Sequence, residues 1–172
     1  MTQRHMETDP MSQPLAWNDK VMRVGDLMRL WFERVELGTT VLEAARLMTL
    51  TGQQALPVVD GDRLVGMLAE GDILARLLGD LSKDVYLGIG MVDRDAAGCY
   101  REISHLRVET LMSQRLVTTT QDVPALRAVG MMRARRIQRL PVTDGDVLVG
   151  LIFQTDVHTA LLGASARLDP HA

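Results

Sequence analysis

The chain has 172 residues, 47% hydrophobic and only 3% aromatic, with a net charge of −3 at pH 7. Such a composition supports one compact domain or two small joined ones around an aliphatic, methionine-filled core, and it excludes bulk disorder. A mildly acidic, aromatic-poor chain has neither the positive field nor the stacking platform of a nucleic-acid binder, so no nucleic-acid partner is expected.

A single cysteine, Cys99, excludes an intrachain disulfide, and four scattered histidines argue against a structural zinc site, so no metal is expected. No apolar run approaches the roughly 20 residues that span a bilayer. The N-terminus lacks the basic-then-apolar pattern of a signal peptide. The expectation is a cytoplasmic protein without membrane association.

In chain order, residues 1–20 are polar, carry two prolines and read as a flexible segment, with Trp17 as an anchor near its end. Val24 to Met28 forms a short leading segment with apolar anchors, followed by an irregular stretch and a short strand near Val35. Thr39 or Thr40 caps a helix whose apolar face holds Val41, Ala44, Ala45, Leu47 and Met48. Leu56–Val59 and Leu64–Leu68 form a hairpin, because Asp60-Gly61-Asp62 supplies a positive-φ turn. A helix follows near Asp72 to Leu78. Residues 79–107 are a connector of 29 residues, longer than ordinary loops. Within it Val85-Tyr86-Leu87, Ile103 and Leu106 look orderable, while Asp93-Arg94-Asp95 and Gly98 look like an exposed loop. The connector either caps a cleft or extends an intermolecular contact.

The order then repeats. Val108 to Met112 leads, and a strand is expected near Leu116 to Thr119. Pro124 suits the first helical position before a stripe of Leu126, Val129, Met131 and Met132. Gly130 inside that helix is either a propensity cost or a close-packing point. Leu140–Thr143 and Leu148–Ile152 flank Asp144-Gly145-Asp146, and a helix runs near Asp156 to Leu162. The segments LPVVDGDRLVGMLAEGDILARLL from Leu56 and LPVTDGDVLVGLIFQTDVHTALL from Leu140 superpose without a gap at an offset of 84 residues. The same offset carries Val24, Leu27, Met28, Leu42, Ala44 and Met48 onto Val108, Leu111, Met112, Leu126, Ala128 and Met132. Two copies of one folding unit follow, over 21–78 and 108–165, with a tail at 166–172. Neither unit covers both faces of its small sheet, so the two should pack together.

These residues resemble the CBS domain family, whose hallmark is a βαββα unit with a Leu-Pro-Val-Val-Asp strand, a Gly-Asp turn and a Val-Gly-Ile-hydrophobic-(Thr/Ser)-x-x-Asp exit into the last helix. Two successive copies look like a free-standing Bateman module. The resemblance implies an α+β fold of two tandem βαββα units packed sheet to sheet with pseudo-two-fold symmetry. It implies a homodimer, and clefts between the copies that bind AMP, ADP, ATP or S-adenosylmethionine, with no cofactor required.

The residue-level implications are mixed. Asp72 and Asp156 match the family's ribose-binding aspartates, and a carboxylate can accept two hydrogen bonds from a cis-diol. Each also opens a helix, where aspartate serves as a cap without any ligand. The Thr/Ser hydroxyl is replaced by Ala69 and Phe153, and Phe153 either fills the cleft or stacks on a base. Leu56-Pro57 and Leu140-Pro141 line the base pocket in a typical member, yet suit a ligandless core equally. Val35 and Thr119 fall where the family's first strand meets the base.

Arg133, Arg135, Arg136 and Arg139 form a basic cluster with no counterpart in the first copy. Arg139 and Arg136 are candidates for phosphate contact, since a guanidinium fork meets phosphate oxygens in pairs; the alternative is a solvated helix end. The second, arginine-rich copy is therefore the expected site if only one works.

Two functions remain open from sequence. One is a regulatory sensor of an adenine nucleotide or adenosyl ligand that signals to an unidentified protein partner. The other is a ligand-free pair used for dimerisation or protein interaction. No P-loop, nucleophile elbow or metal-binding His pair is present, so an enzyme is not expected. Dimerisation would cover Leu74, Leu77 and Leu78 in one unit and Val157, Leu161 and Leu162 in the other.

Overall fold

The computed structural model describes residues 21–78 and 96–166; for 78, 96–99, 165 and 166 only the backbone is described. Trp17, Val85-Tyr86-Leu87 and Asp93-Arg94-Asp95 lie outside the described residues.

The first unit runs α1 (Val24–Leu27), β1 (Val35–Glu36), α2 (Val41–Thr51), β2 (Ala55–Asp60), β3 (Arg63–Ala69) and α3 (Glu70–Leu78). Helix α4 (Ala96–Ser104) follows in the connector. The second unit has a 3-10 turn (Val108–Thr110), α5 (Ala125–Arg135), β4 (Arg139–Asp144), β5 (Val147–Phe153) and α6 (Gln154–Ala166). This is an α+β fold of two tandem units with the same order of elements, the second having a single bridge where the first has β1.

Local chemistry explains the elements. Thr40, rather than Thr39, caps α2: its hydroxyl accepts from the Glu43 N–H at 3.2 Å, and Glu43 accepts from the Thr40 N–H at 2.9 Å. The helix closes on Gly52, at φ 67°. Gly61 and Gly145 turn the two hairpins at φ 62° and 61°, and both ladders carry a bulge at the same repeat position, Val58/Val59 and Val142/Thr143.

Three expectations need correction. The strand near Leu116–Thr119 reduces to a single parallel bridge between Thr119 and Val142. Pro124 is the cap of α5, one residue before the helix starts, with no side-chain capping bond. Gly98 sits in helix α4, not in a loop. That helix brings Ile103 into the first unit's core, with Tyr100 and Leu106 packed beside it.

The leading segments are exchanged between the units. Val24, with Met22, Leu27 and Met28, packs into the core of Ala125, Ala128, Met132, Leu140, Val142, Ile152 and Val157. Val108, with Leu111 and Met112, packs into that of Val41, Ala44, Met48, Leu56, Val58, Leu68 and Ile73. Backbone bonds fix the exchange: Arg29 pairs with Leu151 at 2.7 and 3.0 Å, and Ser113 pairs with Met67 at 2.8 and 3.0 Å. The hairpin tips then join through the Leu64 N–H to Asp146 O and the Leu148 N–H to Asp62 O, each 2.9 Å. One five-stranded sheet results, in the order β1-β2-β3-β5-β4. A small cluster of Val59, Leu64 and Leu148, flanked by Phe32 and Leu116, seals the two units together.

Candidate ligand clefts

The exchange places two pseudo-equivalent clefts between the units, one beside Asp72 and one beside Asp156. Each aspartate is the third residue of its helix and caps it. Asp72 Oδ2 accepts from the Ala69 N–H at 2.9 Å, and Asp156 Oδ2 from the Phe153 N–H at 3.1 Å. The clefts are otherwise unlike.

The Asp72 cleft has a volume of about 500 Å³, within the range of roughly 300–1,000 Å³ usual for small-molecule sites. Ala69 and Asp72 of the first unit face Ser113, Arg115, Arg135, Arg136, Arg139 and Pro141 of the second. No carboxylate among the described residues is paired with Arg115, Arg135 or Arg136. Arg136 caps α5 at φ 56° where the first unit has Gly52, and is the only non-glycine residue with positive φ among those described. The arginine cluster thus joins the aspartate of the other copy: Arg136 lies with Asp72 rather than with Asp156. Arg133 does not line the cleft.

The Asp156 cleft has a volume of about 180 Å³, lined by Arg29, Trp31, Phe32, Thr51, Gly52, Gln53, Arg139 and Phe153. Arg29 holds Asp156 through Nη2 at 2.7 Å and Nε at 3.1 Å. Its guanidinium carbon lies 4.3 Å from the Phe153 ring centre, and that of Arg139 lies 5.1 Å away.

Arg139 borders both clefts and donates to the Ala55 carbonyl at 3.1 Å. Burial lowers its pKa, the Arg29 charge adds to that, and Glu70 opposes it. Arginine stays protonated regardless.

The remaining sequence candidates form the walls behind the clefts. Leu56, Pro57 and Leu140 are buried strand residues, Val35 pairs with Val58, and Thr119 pairs with Val142. None of these five lines either cleft. The Thr119 hydroxyl is buried without a hydrogen-bond partner among the described residues. Sequence reading missed Arg29, Ser113 and Arg115 as cleft residues, and named Arg135 only within the basic cluster. Arg29 and Ser113 occupy one repeat position, so their contrast was visible in the alignment of the two copies, but which aspartate each would face was not.

Comparison with known proteins agrees with this architecture. The family model for the CBS domain matches residues 24–79 and 108–163. The chain is 30% identical over 121 residues to an uncharacterized protein of Methanocaldococcus jannaschii, covering 70% of this chain and 40% of that protein's length. Among solved structures, CBSX2 in complex with AMP matches with a TM-score of 0.65 at 24% identity, over 83% of this chain and 98% of that one. The CBS domain pair of protein MJ0100, in complex with 5′-methylthioadenosine and S-adenosyl-L-methionine, matches with a TM-score of 0.60 at 19% identity, over 84% and 98%. With two repeats matched over well more than half its length, this chain belongs to the CBS domain family, as a tandem pair.

Proposed function

We propose that the chain is a regulatory sensor that binds a phosphorylated adenosine ligand in the Asp72 cleft and passes ligand state to a partner protein. The observation that carries this reading is a roomy cleft with one carboxylate on the first unit and four arginines on the second. The Asp72 oxygen not used in capping would accept from the ribose hydroxyls, and the arginine forks would take the phosphates. Ser113 lines the same cleft and brings a hydroxyl near Ala69, where the family's Thr/Ser is absent. Family neighbours solved with AMP or with adenosyl compounds support the ligand class. The arginines favour an anionic phosphate over a cationic sulfonium.

A ligand held between Asp72 and the arginines bridges the two units. It would therefore bind differently to conformations in which the units sit differently, which is the requirement for a sensor. The proposed role is regulatory, with no catalytic step and no required cofactor. A second copy of the chain is the proposed partner of the outward leucines Leu74, Leu126, Leu161 and Leu162; Val157, by contrast, belongs to the core. No described helix is long and apolar enough to cross a membrane.

Thermal-shift measurements with AMP, ADP, ATP and S-adenosylmethionine test the reading. A ligand at 100 times its Kd stabilises by about 2.7 kcal/mol. ADP or ATP should shift the melt most, S-adenosylmethionine least, and Asp72→Ala should abolish the shift. No shift with any of them favours the ligand-free interaction module, a reading the self-paired Asp156 cleft supports for that half of the molecule.

A further inference from the structure

The Asp156 cleft holds side chains of the protein where its twin holds open space. Arg29 donates to both carboxylate oxygens of Asp156, at 3.1 Å and 2.7 Å to Oδ1 and at 3.2 Å to Oδ2. Oδ2 is further engaged by the Phe153 N–H. A ribose diol would need those same oxygens. Two guanidinium groups lie over the Phe153 ring and occupy the face on which a base could stack. The space left, about 180 Å³, is below the roughly 300 Å³ at which small-molecule sites begin.

The backbone of Arg29 is pinned by its two bonds to Leu151, so the guanidinium is delivered to Asp156 by the exchanged leading segment. In the twin cleft the same backbone bridge carries Ser113, and the ring position is Ala69. Two short side chains there leave Asp72 unpaired by any described arginine and the cleft at about 500 Å³.

We infer that Arg29 and Phe153 are a built-in occupant of the Asp156 cleft, so that this second site is latent and the protein takes at most one adenine ligand per chain. The count of one rests on the reading of the Asp72 cleft given above; the occlusion of Asp156 does not.

Calorimetric titration of the full chain with ADP tests it, with sites per chain as the readout. Arg29→Ser and Phe153→Ala, alone and together, give each position the residue its repeat partner carries, and circular dichroism melts confirm folding. The wild type should bind one ADP, and Asp72→Asn should remove it. The double variant should bind one more than the wild type, and adding Asp156→Asn should remove the gain. Two sites in the wild type would overturn the inference, as would a folded double variant binding no more than the wild type. A wild type that binds none, with a double variant that binds one at Asp156, would keep the occlusion and overturn the Asp72 reading instead. Should the double variant not fold, Arg29→Ser alone carries the same two results.

Discussion

Several single residues are held by their contacts rather than by their type. A Cβ on Gly150 would meet Met28 Sδ at 2.8 Å and the Arg29 carbonyl at 3.1 Å, and that carbonyl is fixed by its bond from Leu151. Gly150→Ala should therefore destabilise by about 1–3 kcal/mol in urea unfolding. An unchanged midpoint would show that the exchanged segment can move aside. At Gly66 the three nearest atoms all belong to the Met112 side chain, with Cγ at 2.9 Å and Sδ closer still, so Gly66→Ala should destabilise as well unless the whole side chain swings aside. Arg136 presents the opposite balance. It adopts the left-handed conformation at φ 56°, which costs a non-glycine residue roughly 1 kcal/mol, at the mouth of the arginine-lined cleft. Arg136→Gly should raise the melting temperature while weakening ADP binding. If both rise, or both fall, strain at this residue is not tied to ligand binding. Neither glycine announces this in the sequence, because the neighbours of each come from the other repeat.

At the scale of elements, the two repeats solve one problem with different parts. Helix α2 begins with a reciprocal Thr40–Glu43 box, whereas α5 begins on Pro124 with no side-chain cap. The Thr40 hydroxyl, then its backbone N–H, lower the Glu43 pKa below its ordinary 4.5. A depressed carboxylate stabilises the fold above its unfolded pKa and loses that contribution as pH falls through the folded value. An NMR titration of Glu43 should give a midpoint below 4.5, and Thr40→Ala should move it upward; a wild-type midpoint at or above 4.5 would contradict the cap. Both hairpins, and the cap of α2 to within one residue, were legible in sequence because their chemistry acts over three or four residues. Gly130 settles an alternative that sequence left open: nothing lies within 4 Å of a Cβ built there, so it is a propensity cost and not a close-packing point. The strand expected near Leu116–Thr119 failed for a related reason. Its apolar and β-branched residues favour an extended chain, but only Thr119 lies alongside β4.

For the whole molecule, outward leucines on α3, α5 and α6 leave apolar surface on both units. Equilibrium sedimentation at micromolar concentration should give a dimer, and Leu126→Glu with Leu162→Glu should give a folded monomer. A wild-type monomer would send that surface to a different protein. What the sequence determined by itself was the repeat, its 84-residue offset, the hairpins and the family resemblance, because identical local patterns recur at fixed spacing. Tertiary structure alone decided which unit receives which leading segment: placing Val24 in its own unit or in the other satisfies the same apolar pattern, and the pairings of Arg23 with Pro124, Arg29 with Leu151, Thr40 with Arg107 and Ser113 with Met67 break the tie. That choice sets Arg29 on Asp156 and leaves Asp72 to the arginines, making two repeats of one pattern into one open cleft and one closed one. Side chains more than a hundred residues apart meet there through sheet pairing, and no local propensity encodes such a meeting.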